Sequence, residues 1–402
     1  MQTERIVEQL LQSCGQFMHA GRVRALRDVC QAAVLGSALS LSVLACGLGR
    51  RTTLRHRVKC VDRLLGNAHL GQERAAVYRS LAASWLSDLP QLLIVVDWSS
   101  LSADQQWHWL RAAVVVQGRS VTLYEEVHPR KQVGNRGVHR RFLARLAQML
   151  PPTARAPIVL TDAGFRTTWF QLLAECGWYW VGRIRNRDYV RPATQQEWFA
   201  AKTLYRKANA RARDLGAYEA VRSNPIACRC VLIKKPPRGR KRRYASGREQ
   251  RNGQARKVAR AQREPWLLTC APGLAHLSAQ AIVSLYAQRM QIEQQFRDTK
   301  NLALGMGLSQ SRTRVGQRLQ VLLLIAHIAE LTKRLIGEAA KAQQMQLQLM
   351  CTNRTDRAEI SVMTLAKRVI ARTALLRGLR VPWQRGAQHL REQVNRTMHH
   401  AL

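Results

Sequence analysis

Between residues 286 and 300 the chain reads Tyr-Ala-Gln-Arg-Met-Gln-Ile-Glu-Gln-Gln-Phe-Arg-Asp-Thr-Lys, without Gly or Pro. On a continuous helix, at 100° per residue, Tyr286, Arg289, Glu293 and Lys300 fall at about 0°, −60°, −20° and −40°, a narrow stripe roughly 21 Å long. Leu285, Ile292 and Phe296 fall at about −100°, −120° and −80°, an apolar strip that would fix the helix on a core. A carboxylate set between two cations and a phenol suits a phosphodiester. The glutamate can hold a divalent cation, and Arg289 and Lys300 can take phosphate oxygens. The same spacing also suits a solvated helix face, so the stripe needs partners elsewhere.

Two aspartates are the candidates. The apolar run Leu92–Val96 reads as a strand buried on both faces, and it delivers Asp97 at its end. Ala112–Val116 and Ser120–Glu126 are two more strands, joined by a hairpin at Gln117-Gly118-Arg119. A helix near His139–Leu150 stops at Pro151-Pro152, and the strand Pro157–Thr161 then ends in Asp162. A helix over Thr168–Cys176 and a strand over Trp178–Ile184 follow. The order βββαβαβ, with acids ending the first and fourth strands, predicts an α/β fold with a ribonuclease-H-like catalytic core, and Glu293 would be the third acid. Strand-end aspartates also serve as plain turn residues. Glu125, Glu126, Glu175 and Asp298 are the fallback ligands, while His108, His128 and His399-His400 show no ligand pattern.

The composition names the partner. Lys and Arg number 65 against 25 acids, a net charge of +40 in 402 residues. Such self-repulsion is relieved by a polyanion, and nucleic acid fits best. A membrane surface would call for one concentrated basic amphipathic helix or a lipid anchor, whereas here the cations are spread through every region. The nine cysteines lack paired zinc spacing and read as reduced, with Cys228 and Cys230 on one face of a strand. The N-terminus lacks a signal-peptide pattern, so a cytoplasmic location is expected. Cys30–Gly49 is uncharged for about a membrane span but is broken at Gly36-Ser37, and reads as two short packed helices.

Five regions follow. Residues 1–85 read as a helical DNA-end-binding domain, in which Leu54, Val58, Val61 and Leu65 form an apolar face and Arg55, Arg57, Lys59 and Arg63 lie on the others, suiting a DNA groove or plain solvent. Residues 86–188 are the first part of the core. Residues 189–278 read as a mostly β insertion whose segment 234–260 carries twelve Lys or Arg and one acid, a loop suited to phosphate contacts. Residues 279–335 complete the core with the signature helix and a long apolar helix, Leu319–Ile336, in which His327 and Glu330 read as core residues. Residues 336–402 are a C-terminal helical region and a candidate dimerisation surface.

These residues resemble a known family, the bacterial insertion-sequence cut-and-paste transposases of the DDE superfamily, in the hairpin-forming branch with a Tyr-(2)-Arg-(3)-Glu-(6)-Lys signature. Tyr286, Arg289, Glu293 and Lys300 match all four positions and all three gaps. Val96-Asp97-Trp98-Ser99 and Asp162-Ala163-Gly164-Phe165 resemble the first two acidic motifs, and Asp62–Asn67 resembles a stretch of the N-terminal domain. The resemblance runs from about residue 20 to 335. It implies a metal triad of Asp97, Asp162 and Glu293 holding two Mg²⁺ ions, with Mn²⁺ as a substitute. It also implies donor-end contacts from Tyr286, Arg289 and Lys300, and a homodimer on transposon inverted-repeat ends and target DNA in the bacterial nucleoid. In hairpin-forming relatives a tryptophan about twenty residues before the tyrosine stacks on a flipped base, and Trp266 sits at that distance. The basic 234–260 loop departs from the family pattern. Two other classes remain open: a non-enzymatic DNA-binding protein or decayed transposase copy, and a ribonuclease-H-like nuclease that cuts without joining.

Overall fold

The computed structural model describes residues 2–87, 89–102, 104–186, 188–236, 252–253, 264–302, 305–350, 360–379 and 382–401. Most of the basic 234–260 segment therefore lies outside the described residues. The chain begins with five helices: α1 (Gln2–Leu11), α2 (Ala20–Leu35), α3 (Leu41–Cys46), α4 (Leu54–Leu65) and α5 (Ala68–Leu86). Side-chain oxygens start several of them. Ser40 accepts from the Val43 amide, Thr53 from His56 and Asn67 from Leu70, satisfying amides that a helix leaves without partners. Among the described residues no helix is long and apolar enough to cross a membrane.

The strands β1 (Leu93–Ser100), β2 (Trp107–Val115) and β3 (Ser120–Pro129) come next, then α6 (Arg136–Ala147), β4 (Ile158–Thr161), α7 (Thr167–Glu175) and β5 (Tyr179–Ile184). The β2–β3 turn uses Gly118 at φ +81°, a conformation that a side chain would strain. Five further strands follow: β6 (Tyr189–Pro192), β7 (Phe199–Ala200), β8 (Arg213–Ala220), β9 (Ile226–Ile233) and β10 (Trp266–Cys270). The larger helices after them are α8 (Ala279–Ala287), α9 (Met290–Lys300), α10 (Gly316–Ala342), α11 (Val362–Ile370) and α12 (Pro382–Ala401).

The chain divides into two compact units, 1–155 with 290–398, and 156–289 with 399–402. In the first, β1 pairs antiparallel with β2 and β2 with β3. Helix α10 runs through the centre of this unit, buried along nearly its whole length, and packs against α2, α5, α11 and β3. His327 and Glu330 sit inside, as expected of core residues. In the second unit the strand order is β4-β5-β10-β9-β8-β6-β7. Among the described residues of this unit, only the β4–β5 pair is parallel. Strand β10 bonds to β5 on one side and β9 on the other, so the strands after residue 189 continue the β4–β5 sheet. Cys228 and Cys230 are buried on β9 with their sulfurs 4.0 Å apart.

One expectation is overturned. The stretch from Tyr286 to Lys300 is not one helix: α8 closes at Ala287, the Gln288 and Arg289 amides bond back three residues to Leu285 and Tyr286, and α9 starts at Met290. The unit boundary falls at the same point. Each half follows its own apolar partner. Tyr286 packs edge-on against Trp266 at 5.1 Å, and Phe296 packs edge-on against Trp109 at 4.8 Å. Tyr286 and Arg289 therefore belong to the second unit, and Glu293 and Lys300 to the first.

Candidate active site

In the first unit, Asp97 lies on β1 and Glu293 in the first turn of α9. The two line one cleft of about 450 Å³ together with Trp98, Ser99, Phe296, Arg297, Lys300 and Asn301. Asp97 is 9% exposed, and its Oδ1 accepts the Trp98 amide at 2.8 Å. A carboxylate at the start of a helix is favoured by the unpaired amides there, which suits Glu293. Ile292 and Phe296 are buried and hold α9 in position, as the apolar strip requires.

Lys300 is anchored across this cleft. Its Nζ donates to Ser99 Oγ at 2.8 Å and to the Ser100 carbonyl at 2.5 Å. Burial, and after it the nearby Arg111 guanidinium, push its ammonium down to about 8. Trp98 turns its indole Nε1 to His139 Nε2 on α6 at 3.2 Å. Burial, with His128 nearby, brings His139 down to about 4, which keeps that ring a neutral acceptor.

The fallback acids are already engaged. Glu125 accepts from Tyr78, Trp109 and Arg111, and Glu126 from Tyr124, Arg145 and His128. Asp298 pairs with Arg119 at 2.7 Å. Glu175 ends α7, exposed and in the other unit.

In the second unit, Asp162 follows β4. Its Oδ1 accepts the Gly164 amide at 2.8 Å, and a Cβ on Gly164 would meet that oxygen at 2.9 Å, so a side chain there would displace the Asp162 carboxylate. Tyr286 is only 5% exposed. Burial raises its phenol; Arg289 and Arg183 pull it down, and the Asp162 carboxylate adds to the rise. Trp266 is half-buried, with Tyr286 at its edge and Lys235 Nζ 4.5 Å from its ring centre. Of the basic set on α4, Arg55, Lys59 and Arg63 are exposed, whereas Arg57 turns inward and donates to the Leu48 carbonyl at 3.2 Å.

The sequence reading missed Ser99, Phe296 and Arg297 as cleft residues. Periodicity held the signal: Ser99 is two residues from Asp97 on a strand, and Arg297 is one helical turn from Glu293. Hard divalent cations take carboxylate oxygens, so the Asp97 and Glu293 donor set fits such an ion. Among the described residues no three His, Cys, Asp or Glu side chains are grouped closely enough to hold a metal.

Residues 88–329 match the Transposase DDE domain family, so this chain belongs to the DDE transposases, metal-using polynucleotidyl transferases and nucleases that act on DNA. No curated protein matches the chain. Among solved structures it is similar to the piggyBac transposase in a synaptic complex with hairpin DNA, at 9% identity and a TM-score of 0.43 over 94% of this chain and 78% of that one.

Proposed function

We propose that this chain is a bacterial insertion-sequence transposase of the Tyr-Arg-Glu-Lys branch. On this reading it cuts the inverted-repeat ends of its element, passes through a DNA hairpin, and joins the freed ends to target DNA as a homodimer. The carrying observation is that Asp97 and Glu293, far apart in sequence, line one cleft with Lys300. Asp162 is the third carboxylate, and the proposal requires it to reach the same pair of metal ions during reaction. Its ribonuclease-H-like character rests on the β1–β3 meander followed by α6, β4, α7 and β5.

A bound pair of Mg²⁺ ions supplies charge neutralisation at phosphorus and a more acidic attacking water or 3′-OH. The chain's own groups do the rest. Asp97, Asp162 and Glu293 provide hard oxygen donors. Lys300, tethered at Ser99, sets a cation beside the scissile phosphate. Arg289 contacts the donor end from the other half of the signature, and the buried Tyr286 supports it from beneath, its ring 6.0 Å from the guanidinium. Trp266 offers a face to an extruded base. Arg55, Lys59 and Arg63 hold the flanking duplex through its phosphates, while Arg57 braces their helix.

The test uses DNA carrying the element's own ends. The purified protein with Mg²⁺ is expected to cut that DNA and join it to a plasmid, whereas Asp97→Asn and Glu293→Gln bind the ends and cut neither strand. Binding without cutting by the unaltered protein would establish a non-enzymatic DNA-binding protein instead. Cutting without joining would establish a nuclease.

A further inference from the structure

From Val127 to Thr161 the chain contains no Asp or Glu, yet it carries seven Lys or Arg. Five of these cations, Arg130, Lys131, Arg136, Arg140 and Arg141, are exposed on α6 and on the short helical turn Arg130–Gln132 before it. The buried side of α6 is fixed by Val138, His139, Phe142, Leu143 and Leu146. Arg145 ties the helix down through Glu126 at 2.6 Å. The outward side is therefore a rigid cationic face rather than a frayed loop.

The helix that carries this face adjoins the cleft through its buried side. Trp98, a cleft residue, donates to His139 on α6. His108 lies within electrostatic reach of both Arg130 and the cleft residue Lys300. The two amide side chains between Arg130 and Ala147, which are the type that reads adenine edges, are engaged within the protein. Asn135 Oδ1 accepts the Val138 amide at 3.1 Å, and Gln132 Oε1 bonds His128 Nδ1 at 3.1 Å. The exposed cations can take phosphate oxygens whatever the base sequence. A transposon end has a fixed sequence, but the DNA that receives it is arbitrary.

We infer that the outward face of α6 and its preceding turn is a docking track for the phosphate backbone of target DNA, leading into the cleft that holds Asp97 and Glu293. The inference rests on the transposase reading for the identity of that DNA. Charge complementarity alone carries the binding.

The experiment compares Arg136→Ala/Arg140→Ala/Arg141→Ala with a control of equal charge loss, Arg372→Ala/Arg377→Ala/Arg385→Ala, whose residues are exposed near the other end of the chain. Without metal, binding of a random-sequence duplex is titrated against salt. The α6 variant is expected to lose roughly two to three from the log–log salt slope relative to the control, because each phosphate contact contributes about 0.9. With Mg²⁺, cleavage of end DNA is expected to stay within about two-fold while joining to a plasmid falls roughly ten-fold or more, in line with that loss of backbone contacts. The corresponding triple Lys variant is expected to retain both. An α6 salt slope equal to the control's would overturn the track. So would end cleavage falling in parallel with joining, since the face would then serve the transposon end. If the unaltered protein neither cuts nor joins, the transposase reading fails, and the salt comparison still decides whether the face binds duplex.

Discussion

Asp97 on β1 stands directly across the ladder from Arg111 on β2. Arg111 is wholly buried, its Nε 2.7 Å from an oxygen of the equally buried Glu125, and its two terminal nitrogens make no hydrogen bond. The guanidinium lies 3.9 Å from the Trp109 ring centre and 5.3 Å from that of Phe296, the aromatic wall of the cleft. A buried ion pair, with its guanidinium turned to the aromatic rings, therefore sits behind the carboxylates. Removing one partner of such a pair strands the other in an apolar interior at a cost of about 3–5 kcal/mol. Glu125→Ala is expected to lower unfolding free energy by that amount in urea titration, and Arg111→Met/Glu125→Gln to recover much of it. Additive losses in the double variant would show that the pair is not coupled.

The same pair shows where the sequence was readable and where it was not. The run Leu92–Val96 announced β1 and the position of Asp97, because a strand buried on both faces needs unbroken apolar residues. Glu125, by contrast, looked like a spare ligand, since nothing local shows that a buried arginine one strand away has claimed it. The split at Gln288–Arg289 was equally hidden. It carries no Gly or Pro, and it arises because Trp266 captures Tyr286 while Trp109 captures Phe296. Strands β6 and β7 are too short, and β8 too exposed, for an alternating pattern to stand out. The Asp97–Glu293 cleft was legible as residue types at strand and helix positions. The buried state of Tyr286 was not.

Lys300 gives a direct functional test. A charge-assisted contact to phosphate is worth about 1.5–3 kcal/mol, so Lys300→Ala is expected to slow end cleavage roughly 10- to 150-fold. Ser99→Ala removes one of its two anchors and is expected to cost about 1 kcal/mol in the same assay. Circular dichroism and urea titration should show both variants folded. A full-rate Ser99→Ala would mean that the tether to β1 does not position the ammonium.

Glu330 makes stability depend on pH. Burial pushes its carboxyl up to about 7, against the opposing pull of Arg111, and Thr299 Oγ1 donates to it at 2.5 Å. The unfolded chain ionises this group near its ordinary 4.5, so the folded state binds the extra proton between 4.5 and 7. Its contribution is fully present below that window and is lost as pH rises through about 7, a swing of about 3 kcal/mol. Buried His327, held down to about 3, acts in the opposite sense below its ordinary 6.5, so the informative quantity is the variant against the unaltered protein. Glu330→Gln is expected to gain about 2.5 kcal/mol relative to the unaltered chain on going from about pH 5 to pH 8 in urea titrations. Parallel curves would refute the assignment.

Trp266 separates packing from base capture. Its ring is edge-on to Tyr286 at 77° and has Lys235 Nζ at 4.5 Å, so the residue can hold Tyr286 in position, seat a base, or do both. An aromatic seat contributes about 1–3 kcal/mol per stacked base. If the seat is used only for hairpin formation, Trp266→Ala should leave the first nick nearly at full rate and reduce hairpin product roughly 5- to 150-fold on that basis. Trp266→Phe, which keeps a stacking face, should restore most of the hairpin. Single-turnover reactions resolved on denaturing gels distinguish the two products. Equal loss of nick and hairpin would mean that Trp266 acts through the packing of Tyr286, since that contact serves every step at the donor end.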